Sequence, residues 1–133
     1  MEIGKNGKMF HNDYPTPKYL FDKWNKEFNF DFDPCPLNHD ISKWDGLEIE
    51  WGKSNFVNPP YDRKNKNAFV LKGIEEHKKG KTVVFLLPVS TSSKLFHDHI
   101  LANNPEIRFI RGRIKFKNNE NGTFDNMLII FRA

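Results

Sequence analysis

Four consecutive residues, Asn58-Pro59-Pro60-Tyr61, follow the apolar pair Phe56-Val57 and end it abruptly. Phe56 and Val57 suit the close of a buried strand, and neither proline can continue a sheet ladder. Each proline fixes its own φ and lacks a backbone N–H, so the carbonyls of this loop hold set directions. The side-chain oxygen of Asn58 and the carbonyl of Pro59 can then face one point, with the Tyr61 ring beside it. Two acceptors and a stacking surface make a site for a planar ring that carries an exocyclic NH2 group. The plainer reading is a strand ending in a proline turn, which Asn-Pro favours in any chain. The rest of the sequence decides between the two.

Other chemistry-bearing residues are weaker candidates. His97-Asp98-His99 invites a metal reading, but neighbours on a helix point in different directions and ligand pairs sit at i, i+3 or i+4. A solvated helix face explains them better, and no metal is expected. Cys35, the single cysteine, has no His-Asp pattern beside it and reads as a packed small side chain. Arg108, Arg111, Arg113, Lys115 and Lys117 alternate along one region beside Phe116. They read as phosphate contacts rather than as a solvated sheet face. Lys64, Lys66, Lys72, Lys78 and Lys79 read as ordinary surface.

Elements must position these groups. The 133 residues fit one domain, 1–133, with a polar arm over 1–14. Thirteen Phe, three Trp and three Tyr supply a core and rings for stacking. A formal charge of +4 favours an anionic partner, weakly. One cysteine excludes an internal disulfide and a thiolate zinc site. No segment has the length of a membrane span or the character of a signal peptide, so a reducing cytoplasm is the expected setting.

Thr16 reads as an N-cap and Pro17 as the first residue of a helix reaching about Phe28, with Leu20, Phe21, Trp24 and Phe28 on its core face. Residues 30–33 alternate like a short strand that Pro34 stops. Asp62 to Lys66 reads as a charged loop, followed by a helix over 67–79 with Gly80 as its C′ residue. Residues 82–87 read as a central parallel strand covered on both faces. A helix over 91–101, capped by Ser92 or Ser93, and strands over 107–110, 114–116 and 127–131 complete the chain, with a turn at 118–122 joining the last two. The class is α/β: a doubly wound sheet whose last strands turn antiparallel. Asn58 and Pro88 fall at the carboxyl ends of strands, where such sheets bind ligands.

The ordered set resembles the phage-type (Dam-like) DNA adenine N6-methyltransferases over most of the chain. It comprises Thr-Pro-x-x-Leu-Phe-Asp at 16–22, Phe-Asp-Pro at 32–34, Asp-Gly-Leu at 45–47, Trp51 and Asn-Pro-Pro-Tyr at 58–61. Leu-Leu-Pro at 86–88, Phe-His-Asp at 96–98 and Arg-Gly-Arg-Ile-Lys-Phe at 111–116 follow. The resemblance implies a reduced Rossmann-like sheet, S-adenosylmethionine as cofactor and a flipped DNA adenine as substrate. It also implies Asn58, Pro59, Pro60 and Tyr61 as the catalytic loop. Tyr61 and Phe116 would then hold the base from its two faces, with Arg111, Arg113 and Lys115 on the DNA. Cofactor contacts are expected from Thr16, Pro17, Asp33, Pro34 and Cys35. In this chemistry the Asn58 oxygen and Pro59 carbonyl stabilise positive charge growing on N6, worth about 3–4 kcal/mol for one well-placed group.

One departure stands out. The usual cofactor loop runs into a Gly-rich turn, but Asp33-Pro34-Cys35-Pro36-Leu37-Asn38 has no glycine. Asp33 also precedes Asn58 by only 25 positions, fewer than the roughly 30 of one βαβ unit. The adenosine side of the pocket is therefore abbreviated, or a homodimer completes it. Two rival readings stay open: a methyltransferase for RNA adenine or a protein glutamine amide, and a DNA-binding module without catalysis.

Overall fold

A computed structural model describes residues 14–116 and 124–133. Helix α1, Lys18–Phe28, precedes strand β1, Ser54–Val57, and helix α2, Arg63–Lys78. Strand β2, Thr82–Pro88, leads to a π-helical turn, Leu95–Ile100, that tightens into a 3₁₀ turn, Leu101–Asn103. Strands β3, Glu106–Phe109, and β4, Asn126–Phe131, end the chain. The sheet order is β1-β2-β4-β3. β1 and β2 run parallel, and β4 lies antiparallel to both β2 and β3. Among the described residues no helix is long and apolar enough to cross a membrane.

Alternation along the strands divides the core. Val83, Phe85, Leu87, Met127, Ile129 and Phe131 face α2 and the π-helical turn. Val84, Leu86, Leu128, Ile130 and Phe56 face Trp24 and Phe28 of α1. Both faces of β2 are covered, as its unbroken apolar run requires. α2 lies close to the sheet at Gly73, where a Cβ would collide with the Phe85 ring. A side chain there would force helix and sheet apart.

Several expectations are corrected. α1 begins one residue late, with Pro17 at the cap position and no side-chain cap, because the Thr16 hydroxyl is engaged elsewhere. Residues 30–33 form only a bridge, Phe32 to Asn55, on the outer side of β1. The charged segment after Asp62 is helical: Asp62 caps α2 by accepting from Asn65 N–H at 3.1 Å, and its lysines and arginine project from the first turn. β2 is parallel on one side only, since β4 rather than another parallel strand takes its second edge. Residues 114–116 form no strand; Ile114 is buried and Phe116 partly buried on the α1 face, so side-chain packing replaces a ladder. The antiparallel pairing of the last strands holds, but it joins β3 to β4. The expected turn at 118–122, Lys117 and nearly all of the polar arm lie outside the described residues. The helix expected over 91–101 is the shorter π-helical and 3₁₀ pair from Leu95 to Asn103, with Lys94 at the cap position and no side-chain cap there. Ser93 Oγ, just before it, accepts from Phe96 N–H at 3.2 Å.

Candidate functional site

β1 ends at Val57, and Asn58 to Tyr61 form the loop at its carboxyl end. The Asn58 amide nitrogen donates to the Tyr14 carbonyl and, at 2.9 Å, to Thr16 Oγ1. Its Oδ1 is buried with no partner among the described residues. A buried unpaired acceptor costs about 1–3 kcal/mol, and such an exception in a well-paired interior asks for a reason.

Tyr61 is held by its hydroxyl, which donates to the Leu86 carbonyl at 3.1 Å, and burial pushes its phenol pKa far upward. Asn126, fully buried at the start of β4, donates to the Leu87 carbonyl at 3.3 Å and approaches the Tyr61 hydroxyl at 3.5 Å. Its own Oδ1 also lacks a partner among the described residues. The tyrosine is thus fixed by its edge, leaving a ring face for stacking. Tyr14 lies on that face, with centroids 5.1 Å apart and planes at 24°. Phe116 and Phe124 close the sides edge-on to Tyr14, at 5.3 Å and 5.1 Å. The four rings form a box directly beside Asn58.

Next to this box lies a cavity of about 920 Å3, lined by Thr16, Asp33, Pro34, Cys35, Asn58 and Pro59 among others. Of the expected catalytic and cofactor residues, Asn58, Pro59, Pro60, Thr16, Asp33, Pro34 and Cys35 line it, whereas Tyr61 belongs to the adjoining aromatic box and Pro17 begins the α1 turn outside the lining. Burial pushes the Asp33 carboxyl up to about 6, against the opposing pull of the Cys35 N–H donated at 2.9 Å and of His39. The missing glycine of the loop is supplied from further along: a Cβ at Gly46 would collide with the Pro34 carbonyl oxygen. The Gly46 carbonyl in turn accepts from Trp51 Nε1 at 2.7 Å, which closes the loop back onto β1. No helix or full strand lies between α1 and β1, as the short spacing required.

The basic segment divides. Arg111, Arg113 and Lys115 are exposed beside Phe116; Arg113 meets Asp125 at 3.3 Å. Arg108 does not join them. Its guanidinium grips Glu27 through two 2.7 Å bonds and Glu106 through a third, and with Arg132 it holds the Glu27 carboxyl down to about 2. Alternation misled here because β3 ends at Phe109, so Arg108 and Arg111 do not share one strand. Lys72 and Lys79 are not plain surface either; both contact the buried Glu76. His97 and His99 are exposed, and among the described residues no three His, Cys, Asp or Glu side chains could hold a metal.

Sequence reasoning does not find Tyr14, Phe124 or Asn126. Tyr14 sits two positions before Thr16, at the end of the polar arm, where composition alone gives it no role. Phe124 lies just before β4 and Asn126 is its first residue, with no periodicity to mark either.

The sequence comparison settles the family. Residues 5–129 match the family model described as DNA N-6-adenine-methyltransferase (Dam). The chain belongs to that family. The DNA N-6-adenine-methyltransferase of Haemophilus phage HP1 (strain HP1c1) is 36% identical over 121 residues, covering 82% of this chain and 68% of the phage protein. No solved structure matches. In this Dam family member, the Asn-Pro-Pro-Tyr loop, the aromatic box and the Asp33 cavity lie together at one end of the sheet.

Proposed function

We propose that this chain transfers a methyl group from S-adenosylmethionine to N6 of adenine in DNA, with the base flipped into the pocket of Asn58 to Tyr61. Family membership supports the reaction class. The observation that carries the site is Asn58 Oδ1, a buried acceptor with no described partner beside a box of aromatic rings. An adenine NH2 would donate one N–H to that oxygen and the other to the Pro59 carbonyl. Both acceptors stabilise the positive charge that develops as N6 becomes a nucleophile, and neither needs to move to do so. No general base is required before transfer, since N6 loses its proton afterwards.

The Tyr61 face accepts an aromatic ring, since Tyr14 stacks on it. A flipped base would take that place while the Tyr14 side chain rotates away. The stacking recovers part of the few kcal/mol needed to unstack the base. Phe116 and Phe124 bound the pocket laterally, and Arg111, Arg113 and Lys115 take phosphates next to it.

The cavity suits the cofactor in size, within the roughly 300–1,000 Å3 of small-molecule sites. Its donor set also suits a cation. Among the described residues the Asp33 carboxyl accepts from the Cys35 N–H alone, and it gains from a positive partner. Asp33 would bind the ammonium or ribose, with Thr16, Pro34 and Cys35 as the surrounding wall. S-adenosylmethionine supplies an electrophilic methyl group when bound. The fold is then a reduced Rossmann-like methyltransferase sheet working in the cytoplasm. Incubation with labelled S-adenosylmethionine and plasmid DNA, followed by nucleoside mass spectrometry, should yield labelled N6-methyladenine. Label in RNA or glutamine alone would redirect the substrate, and cofactor binding without transfer to any of them would reduce the protein to a binding module.

A further inference from the structure

A carboxamide carries two N–H donors and one acceptor oxygen, and its two ends are nearly equal in shape. What a ligand meets at Asn58 therefore depends on which end faces the cavity. The segment Tyr14-Pro15-Thr16 answers this. The Tyr14 carbonyl can only accept, so the group opposite it must be the NH2. Thr16 Oγ1, at 2.9 Å, accepts from the same nitrogen. With both donors engaged on the strap, Oδ1 is turned away from it and has no partner among the described residues. Pro15 and Pro17 flank Thr16 and fix φ on either side, so the strap is rigid before any ligand arrives.

We infer that the strap formed by the Tyr14 carbonyl and the Thr16 hydroxyl is the positioning element that locks the Asn58 amide with its oxygen outward, making the pocket an acceptor that selects NH2-bearing bases. Thr16 acts through Asn58 rather than as a helix cap, and does so from its place in the cavity wall. Reversing the amide would present two N–H donors and favour a ring carbonyl, as in hypoxanthine or thymine, over adenine. This inference rests on the proposed adenine reaction, but part of its test does not.

In 15N-edited NMR of the whole protein, the side-chain NH2 of Asn58 (assigned by its loss in Asn58→Ala) should show both protons protected from exchange. Two freely exchanging protons overturn the inference whether or not the protein methylates anything. In kinetics, Thr16→Val should lower kcat about 10-fold, the scale of one hydrogen bond, with KM for both DNA and S-adenosylmethionine within two-fold. Thr16→Ser, which keeps the hydroxyl, should restore kcat and the NMR protection. A rise confined to the cofactor KM, or a Thr16→Ser variant as slow as Thr16→Val, would overturn the positioning role. If methylation is absent in every form yet the amide is locked, the adenine reaction fails and the strap stands.

Discussion

Where β2 begins, the Glu76 carboxylate is fully buried and accepts from Trp51 N–H at 2.7 Å, Lys81 at 2.7 Å and Lys79 at 2.8 Å. Where β1 and β2 end, the oxygens of Asn58 and Asn126 are buried with no described partner at all. The same two strands thus carry a saturated polar group at one end and unsaturated ones at the other. Burial alone would raise the Glu76 pKa, but the ammonium groups and the Trp51 N–H outweigh it and hold the carboxyl down to about 2. A charge can be kept in the interior only with such a complete set of partners. Among the described residues the asparagine oxygens have no such partners and keep their cost.

That contrast can be broken at either end. The largest expected effect is at Glu76. Glu76→Gln should destabilise the fold by about 3–5 kcal/mol, the usual result of removing one partner from a buried ionic cluster, with the methylation rate per folded molecule unchanged. Denaturant melts and active-site-normalised rates check both halves. Because the folded pKa is depressed, the Glu76 contribution is complete above about 4.5 and is lost as pH falls toward 2.

At the other end the signs reverse. Asn58→Ala should lower kcat by about 10²–10³ while shifting the melt far less than Glu76→Gln and leaving cofactor affinity within a few-fold. Single-turnover methylation at the wild-type rate would remove Asn58 from the chemistry. Two ends that both respond in stability alone would erase the contrast altogether.

Asp33 tests the cofactor side with a smaller effect. Its folded pKa is raised from 3.8 to about 6, so its contribution to stability is fully present below about 3.8 and is lost as pH rises through 6. Asp33→Asn should flatten that slope in thermal melts. It should also weaken S-adenosylmethionine by about 1.5–3 kcal/mol above pH 6, and abolish the tightening expected of wild type as the carboxyl ionises. Calorimetry across pH 5–8 showing equal affinities for the two proteins would move the cofactor elsewhere.

The smallest effect concerns DNA. Replacing Arg111 or Arg113 by Gln should reduce the slope of log K against log salt by about 0.9 for each phosphate that is no longer neutralised. Arg108→Gln should leave the slope alone and lower stability instead, because Arg108 is committed to Glu27 and Glu106. Identical slopes in all three variants would place the DNA on another face.

Whatever depends on neighbours along the chain could be read from the residues alone. The stop at Pro59 and Pro60, the apolar stripe of α1, the buried run of β2 and its loop end were legible because propensity and periodicity act within a few residues. The loop after β1 was legible for the same reason: Asn58, two prolines and Tyr61 are one continuous rigid piece. Other features needed the folded chain. Among them are the place of β4 between β2 and β3, the pairing of Arg108 with Glu27 rather than a phosphate, and the closure of Gly46 against Pro34. Folding also brought Tyr14 and Thr16 onto Asn58, 44 and 42 positions away. Such contacts leave no period in the chain, because they arise only once the two faces of the sheet are covered and distant polar groups must find partners in what space remains.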